Sequence, residues 1–305
     1  MGDIKLFRVD SSGVAELPGQ SVSVEKSLQV LVENNLETFL GIRFLASEYS
    51  TGKTHAGRID TLGLDENNCP VIIEYKRSTN ENVMNQGLFY LDWLLDHKAE
   101  FTLLAMKQLG SEVQAKIDWS GPRLLCIAGN YTKYDEHAVQ QINRNIELFR
   151  YQQHAGYLVL ELVNATTGAP DPSDDPAPTS PKASSTPYKT VSQYYEQAPL
   201  DLRNMFEALD AYLMALGNDV TKRTLKLYFA FRRIKNFACV EFRPQLKHLL
   251  IFVKVDPSTI NLEQGFTRDV SSIGHFGTGD LEITIASMAD LERAKPLMLT
   301  SYEGA

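Results

Sequence analysis

The chain has 305 residues, 43% of them hydrophobic and 22% charged, with a formal net charge of −8. That balance describes a folded globular protein long enough for two domains and excludes wholesale disorder. It also excludes a globally basic nucleic-acid binder, though not a local basic groove, and no apolar run reaches the roughly 20 residues of a membrane-spanning helix.

The first residues, MGDIKLFRVD, lack the basic-then-apolar pattern of a signal peptide, and Cys69, Cys126 and Cys239 form no CxxC pair. Both features predict a protein of the reducing cytoplasm, with no membrane partner. IKLFRVD and GVAELPG predict a short hairpin. Residues 23–40 carry Leu28, Leu31, Val32, Leu36 and Leu40 at helical spacing. Three strands are predicted over 44–51, 57–65 and 69–77, with Asn67-Asn68 in the turn between the last two. A helix over 80–97, a strand over 122–130, a helix over 136–152 and a strand over 156–164 complete a predicted α/β domain, 1–164, with a mixed sheet flanked by helices.

Residues 165–190 hold six of the 13 prolines and little to bury, the composition of a Pro/Ser-rich linker. Beyond it, 191–305 predict a smaller α+β domain. Its elements are a helix over 200–216, strands over 223–232, 237–243, 248–255 and 281–286, and a final helix over 288–300.

The chemistry-bearing segment is 57–90. Asp60 ends one predicted strand, and Glu74-Tyr75-Lys76 follows on the next, after 13 intervening residues. Alternation along a strand turns Glu74 and Lys76 to one face and Tyr75 to the other. Antiparallel pairing brings Asp60 beside Glu74. Two carboxylates there offer oxygen ligands for Mg²⁺ or Mn²⁺, and the Lys76 ammonium can orient or activate a water, or steady a phosphate oxygen. That grouping suits metal-assisted phosphodiester hydrolysis. An Asp followed by ExK arises by chance in many chains, and a surface salt bridge is its bland explanation. Here it is the only ExK, and the apolar, β-branched VII before it reads as a central strand. Burying charges at such a place without a role is expensive.

This segment resembles the PD-(D/E)xK nuclease superfamily, most closely its RecB-like branch with the NucS-type endonucleases. The resemblance spans 23–164 and rests on GRID (57–60), EYK (74–76) and the pair Gln86-x-x-x-Tyr90; Ile59 stands where the family usually has Pro. It implies a restriction-endonuclease-like fold, with Asp60, Glu74 and the Tyr75 carbonyl holding Mg²⁺ or Mn²⁺. It also implies Lys76 acting on the attacking water, with Gln86 and Tyr90 beside the metal site. The family further uses a first-helix glutamate. Glu25, Glu33 and Glu37 compete, and Glu25, 35 residues before Asp60, fits best. Glu48 offers an approach from the first core strand instead. Arg58, on the face of Asp60, either contacts phosphate or pairs with a carboxylate.

Thr51-Gly52-Lys53-Thr54 lacks the earlier glycine of a phosphate-binding loop, since Ser47 stands there. The histidines show no metal-ligand spacing, and Gly274, Gly277 and Gly279 follow no dinucleotide-binding order. From Lys222 to Lys254 nine Lys or Arg stand against the single acid Glu241, interleaved with six aromatics. This is either a nucleic-acid surface in which Arg232 and Arg233 contact the substrate, or a core of aromatics under a solvated basic face. The 191–305 domain also resembles an uncharacterised module found after such nuclease domains.

The expected activity is therefore that of a metal-dependent endodeoxyribonuclease, in DNA repair or in defence against foreign DNA, with RNA as the alternative substrate. The second domain is expected to recruit DNA, a second copy of the chain or another protein. The rival expectation is a non-catalytic nucleic-acid-binding or interaction protein on a nuclease fold.

Overall fold

The computed structural model describes residues 4–11, 13–19, 25–52, 56–76, 83–168 and 189–305; the Glu25 side chain lies outside this description. The chain forms two compact units. One comprises Met1–Asp65, Pro70–Ile117 and Pro122–Gly168, and the other Glu66–Cys69, Asp118–Gly121 and Ala169–Ala305.

The first unit opens with a hairpin of β1 (Leu6–Asp10) and β2 (Gly13–Leu17), paired antiparallel with Val9 opposite Val14. There follow α1 (Glu25–Asn34), α2 (Leu36–Leu40), β3 (Ile42–Ser50), β4 (Arg58–Asp65), β5 (Pro70–Lys76), α3 (Val83–Asp96) and α4 (Lys98–Leu109). After a 3-10 turn come β6 (Arg123–Ala128), α5 (Lys133–Gln140), β7 (Asn145–His154) and β8 (Tyr157–Thr166). The six strands β3 to β8 lie in sequence order in one sheet. β5, β6 and β7 run parallel and the outer pairings are antiparallel, so the sheet is mixed. The parallel centre is dry: every residue of β6 and all of β5 before Lys76 are buried, as expected where both faces are covered. α1 reaches the face carrying Thr61 and Tyr75. On the opposite face, that of Glu74, α3 lies so close that a Cβ on Gly87 would meet Leu124 at 2.5 Å.

The second unit carries α6 (Val191–Gln197) and α7 (Leu200–Met214), then β9 (Thr221–Thr224), β10 (Phe229–Arg232), β11 (Asn236–Arg243), β12 (His248–Val253), β13 (Thr267–Asp269), β14 (Leu281–Ile285) and α8 (Met288–Glu303). Its sheet is wholly antiparallel, in the order β13-β14-β12-β11-β10-β9. Leu202, Phe206 and Leu209 of α7 and Leu291 and Met298 of α8 share one core with Phe231, Phe237, Val240 and Ile251 of the sheet.

Several sequence expectations are corrected. The first helix is two, broken at Asn35, and Leu31 of its supposed apolar stripe is 42% exposed. The helix expected over 136–152 stops at Gln140, and Asn145–His154 is a strand. The apolar residues of IELFRY fit both periods, and placement between β6 and β8 decides for the strand. α4 was not anticipated. The strand expected over 223–232 is two, turned at Leu225–Tyr228 by a backbone bond of 3.0 Å. Ala165 and Thr166, assigned to the linker by composition, belong to β8, and Thr190 caps α6 with its side chain. Residues 169–188 of that expected linker lie outside the described residues. No helix among the described residues is long and apolar enough to cross a membrane.

Candidate active site

β4 and β5 pair in the register Thr61↔Ile73, Leu62↔Ile72. The same register sets Asp60 opposite Glu74, just beyond the last paired residues. There the side chains take over from the ladder. The Asp60 N–H donates to Glu74 Oε1 at 3.1 Å, and the Tyr75 N–H donates to Asp60 Oδ2 at 2.9 Å. Two backbone donors that need partners as the strands part find them in two carboxylates. Asp60 is thus the third residue of its strand rather than its end.

Glu74 is completely buried, and its Oε2 has no hydrogen-bond partner. Burial and, next, the Asp60 carboxylate push the Glu74 carboxyl up to about 9, while Lys76 draws it down. A buried carboxylate oxygen with no partner, beside a second carboxylate, fits a divalent cation. The cation would supply the missing contact and cancel the repulsion. Lys76, two residues along β5 on the same side as Glu74, is half-buried.

Beneath this pair lies a polar support that sequence reasoning missed. Gln29 of α1 is 4% exposed. Its amide donates to the Asp60 carbonyl at 2.9 Å, to Glu33 Oε1 at 2.9 Å and to Ser47 Oγ at 3.3 Å. Glu33 also accepts from the Thr61 hydroxyl at 2.6 Å, and Thr61 lies 3.5 Å from the Tyr75 hydroxyl. α1 is therefore fastened to the strand that carries Asp60. The signal available in sequence was a glutamine inside the Leu28–Val32 apolar stripe.

The Tyr90 hydroxyl on α3 accepts from the Arg58 N–H at 3.1 Å and from Gln86 Nε2 at 3.3 Å. The Gln86–Tyr90 pair thus holds the first residue of β4, two before Asp60. A Cβ on Gly57 would stand 2.5 Å from Tyr90 Cε1, so this close approach requires glycine. Glu48 of β3 has φ 52, inside a strand. It accepts from Lys26 Nζ at 2.6 Å and from an Arg58 Nη at 3.2 Å. Lys26 also donates to Gln29 Oε1 at 3.1 Å.

The structure therefore places Asp60, Glu74, Lys76, Gln86, Tyr90 and Arg58 around one end of the β4–β5 pair. Of the two roles open to Arg58, the observed contact is the carboxylate. Glu33 serves Gln29 and Thr61. Glu37 belongs to α2, where its charge acts on Arg43. The Glu25 side chain, expected to complete the metal shell, lies outside the described residues. Among the described residues no group of three or more His, Cys, Asp or Glu could hold a metal.

The second-unit expectation is corrected at Arg232, which is 1% exposed, with an Nη bonded to the Ile234 carbonyl. A side chain so enclosed does not reach a phosphate. Arg233 pairs with Asp219 at 2.6 Å and stacks on Tyr302 at 4.7 Å. Tyr228, Phe229, Phe231, Phe237, Phe242 and Phe252 are all buried, so the aromatics are core and offer no stacking platform.

Residues 191–305, beginning at the first residue of α6, match the family described as Domain of unknown function (DUF5655). A Haemophilus influenzae protein described as uncharacterised is 29% identical over 297 residues, covering 95% of this chain and 96% of that one. Among solved structures, the chain is similar to a repair endonuclease from Pyrococcus abyssi, with a TM-score of 0.29 and 17% identity over 45% of this chain and 50% of that one. It is also similar to the protein of an EndoMS–dsDNA2 complex, with a TM-score of 0.25 and 17% identity over 43% and 47%. The match thus spans about half the length of each of these structures.

Proposed function

We propose that the first unit is a PD-(D/E)xK nuclease domain and that the protein hydrolyses phosphodiester bonds of nucleic acid, DNA foremost, with Mg²⁺ or Mn²⁺ as cofactor. The observation that carries this reading is the Asp60–Glu74 pair. Two adjacent carboxylates face each other across β4 and β5, one buried with an unpartnered oxygen, and Lys76 lies two residues on. The quoted GRID, EYK and QxxxY motifs support it, since their residues converge on this one place.

Asp60, Glu74 and the Tyr75 carbonyl would hold the cation, which when bound supplies Lewis acidity toward a phosphoryl oxygen. Lys76 would orient the attacking water or take its proton. Attack of the water oxygen on phosphorus breaks one P–O bond, and the leaving oxygen departs with a proton. Gln86 and Tyr90 would keep Asp60 in place by holding the entry of β4. Gln29 would do the same from beneath, through the Asp60 carbonyl.

The test uses the full chain freed of metal and incubated with labelled single-stranded DNA, duplex DNA and RNA while Mg²⁺ or Mn²⁺ is titrated. Cleavage should rise with metal and vanish in Asp60→Ala, Glu74→Ala and Lys76→Ala variants that keep the wild-type circular dichroism. A wild-type protein that binds nucleic acid and leaves it intact at every metal concentration would be a binding protein on this fold instead.

A further inference from the structure

We propose that Arg58 and Lys26 form the site's grip on the anionic substrate backbone, and that Glu48 occupies this grip in the free protein until a substrate phosphate displaces it. The inference rests on the reading of the site as one that acts on phosphodiesters, and adds to it how the substrate is held.

Three observations converge. First, Glu48 is a clamp between two cations from different elements: Lys26 Nζ of α1 at 2.6 Å and the guanidinium of Arg58 of β4 at 3.2 Å. The Lys26 bond is foremost in holding the Glu48 carboxyl below its ordinary value. Second, Glu48 holds a left-handed backbone, φ 52, inside β3, two residues before its end. For a residue other than glycine such a conformation is strained, and it persists where something else selects it. Third, both cations are exposed, with 53% of the Lys26 and 67% of the Arg58 side chain in solvent, whereas their attachments to the site are fixed. The Arg58 backbone N–H is held by Tyr90. Lys26 is tied to Gln29, which holds the Asp60 carbonyl. Arg58 lies two residues before Asp60 and shares its strand face. Glu48 is also close enough for its charge to act on Glu74.

A site with Asp60 and Glu74 at its centre repels a polyanion. Arg58 and Lys26 are cations on its rim, and Glu48 neutralises them. A phosphodiester offers them the same kind of charge-assisted acceptor. The exchange returns two ion pairs for two. An exposed pair of this kind is worth little in itself, so a phosphate can compete for it.

The experiment is equilibrium binding of the full chain to a labelled duplex and a labelled single strand at several salt concentrations, with chelator present to prevent cleavage. The wild type is compared with Arg58→Ala, Lys26→Ala and Glu48→Gln. Glu48→Gln keeps size and shape while removing the competing charge, and thermal melting checks that each variant folds. Arg58→Ala and Lys26→Ala should each weaken binding about threefold to tenfold and reduce the log–log salt slope by about one. Glu48→Gln should tighten binding by a few-fold. Arg58→Ala and Lys26→Ala variants with the wild-type affinity and slope would overturn the proposal, as would a Glu48→Gln protein that binds more weakly than wild type. If those variants bind like wild type while the wild type cleaves with Mg²⁺, the grip is wrong and the hydrolase reading stands. If the variants follow the expected pattern while no metal supports cleavage, the grip stands and the hydrolase reading fails. A wild type that binds neither nucleic acid at low salt overturns both.

Discussion

Glu74 Oε1 accepts the backbone N–H of Asp60 at 3.1 Å, while Asp60 Oδ2 accepts the N–H that follows Glu74, that of Tyr75, at 2.9 Å. Each carboxyl is thereby pinned by the other's strand, and burial together with the nearby Asp60 charge makes ionisation of Glu74 costly. A divalent cation should relieve this. The thermal midpoint of the metal-free wild type is expected to rise with added Mg²⁺ or Mn²⁺, by about 2.7 kcal/mol of stability at one hundred times the dissociation constant. In Asp60→Ala and Glu74→Ala the metal-dependent rise should disappear. In the metal-free protein each substitution relieves the charge crowding but strands one backbone N–H, that of Tyr75 or of Asp60, at a cost of about 1 kcal/mol, so the metal-free midpoint should move by no more than a few degrees. Differential scanning fluorimetry with and without chelator reads both effects.

Gly57→Ala should disturb the site without touching a carboxylate. Its Cβ would stand 2.5 Å from Tyr90 Cε1 and 2.8 Å from the Tyr90 hydroxyl, so the ring must move and release the Arg58 N–H. Overpacking of this kind costs about 1–3 kcal/mol. Tyr90→Phe removes the hydroxyl alone and should cost about 1 kcal/mol through the unpaired N–H. Chemical denaturation measures the two losses. Both variants should also lower any metal-dependent cleavage, Gly57→Ala the more.

The parts of the site legible in the sequence are those carried by one hairpin. VIIEYK announces a central strand by its apolar run. Alternation then assigns Glu74 and Tyr75 to opposite faces, and an antiparallel partner brings up Asp60. Gln86 and Tyr90 were legible as a pair because four residues along a helix return to one face. Gln29 was not, and Glu48 was legible only as a carboxylate able to approach from the first core strand. Their contacts to Asp60 and Arg58 come from α1 and β3 and depend on how those elements pack, which no local period encodes. The same limit explains β7: the apolar spacing of IELFRY serves a helix or a strand, and only its neighbours in the sheet choose. α4 follows α3 after the single residue His97, and of its own residues only Phe101 and Ala105 are buried. It therefore offers little apolar stripe to read.

Arg123 joins the beginnings of two parallel strands to the end of β4. Its guanidinium meets Asp65 at 2.9 Å and Glu147 at 2.6 Å, with all three residues buried. Burial opposes its charge, but Glu147 and Asp65 outweigh burial and hold its pKa above the ordinary value. Arg123→Met should therefore cost about 3–5 kcal/mol, because it leaves two carboxylates enclosed without a cation. Urea unfolding of the two proteins at neutral pH gives the difference. Adding Asp65→Asn and Glu147→Gln to Arg123→Met should recover a large share of it.

Glu241 makes the second unit sensitive to pH. It lies on β11, 3% exposed, and the side chain of Arg243, its ion-pair partner at 2.6 Å, is 45% exposed. Burial pushes the Glu241 carboxyl up to about 7; the charge of Arg243 and the Phe276 backbone pull it down, and Glu282 adds to the rise. The folded value lies above the ordinary glutamate value of 4.5 that the unfolded chain takes. Below that lower value both states carry the proton, and Glu241 costs nothing. Between it and about 7 the unfolded chain releases the proton while the folded chain keeps it, so stability falls as pH rises. Above about 7 the cost is complete, on the order of 3 kcal/mol. Glu241→Gln removes the titration and gives up an ion pair worth little at its exposed end. The variant should match wild type in thermal midpoint near pH 4.5, exceed it progressively through pH 6, and hold a constant advantage above pH 8. Parallel melting curves that stay equally spaced from pH 4.5 to 8 would show that Glu241 remains charged throughout.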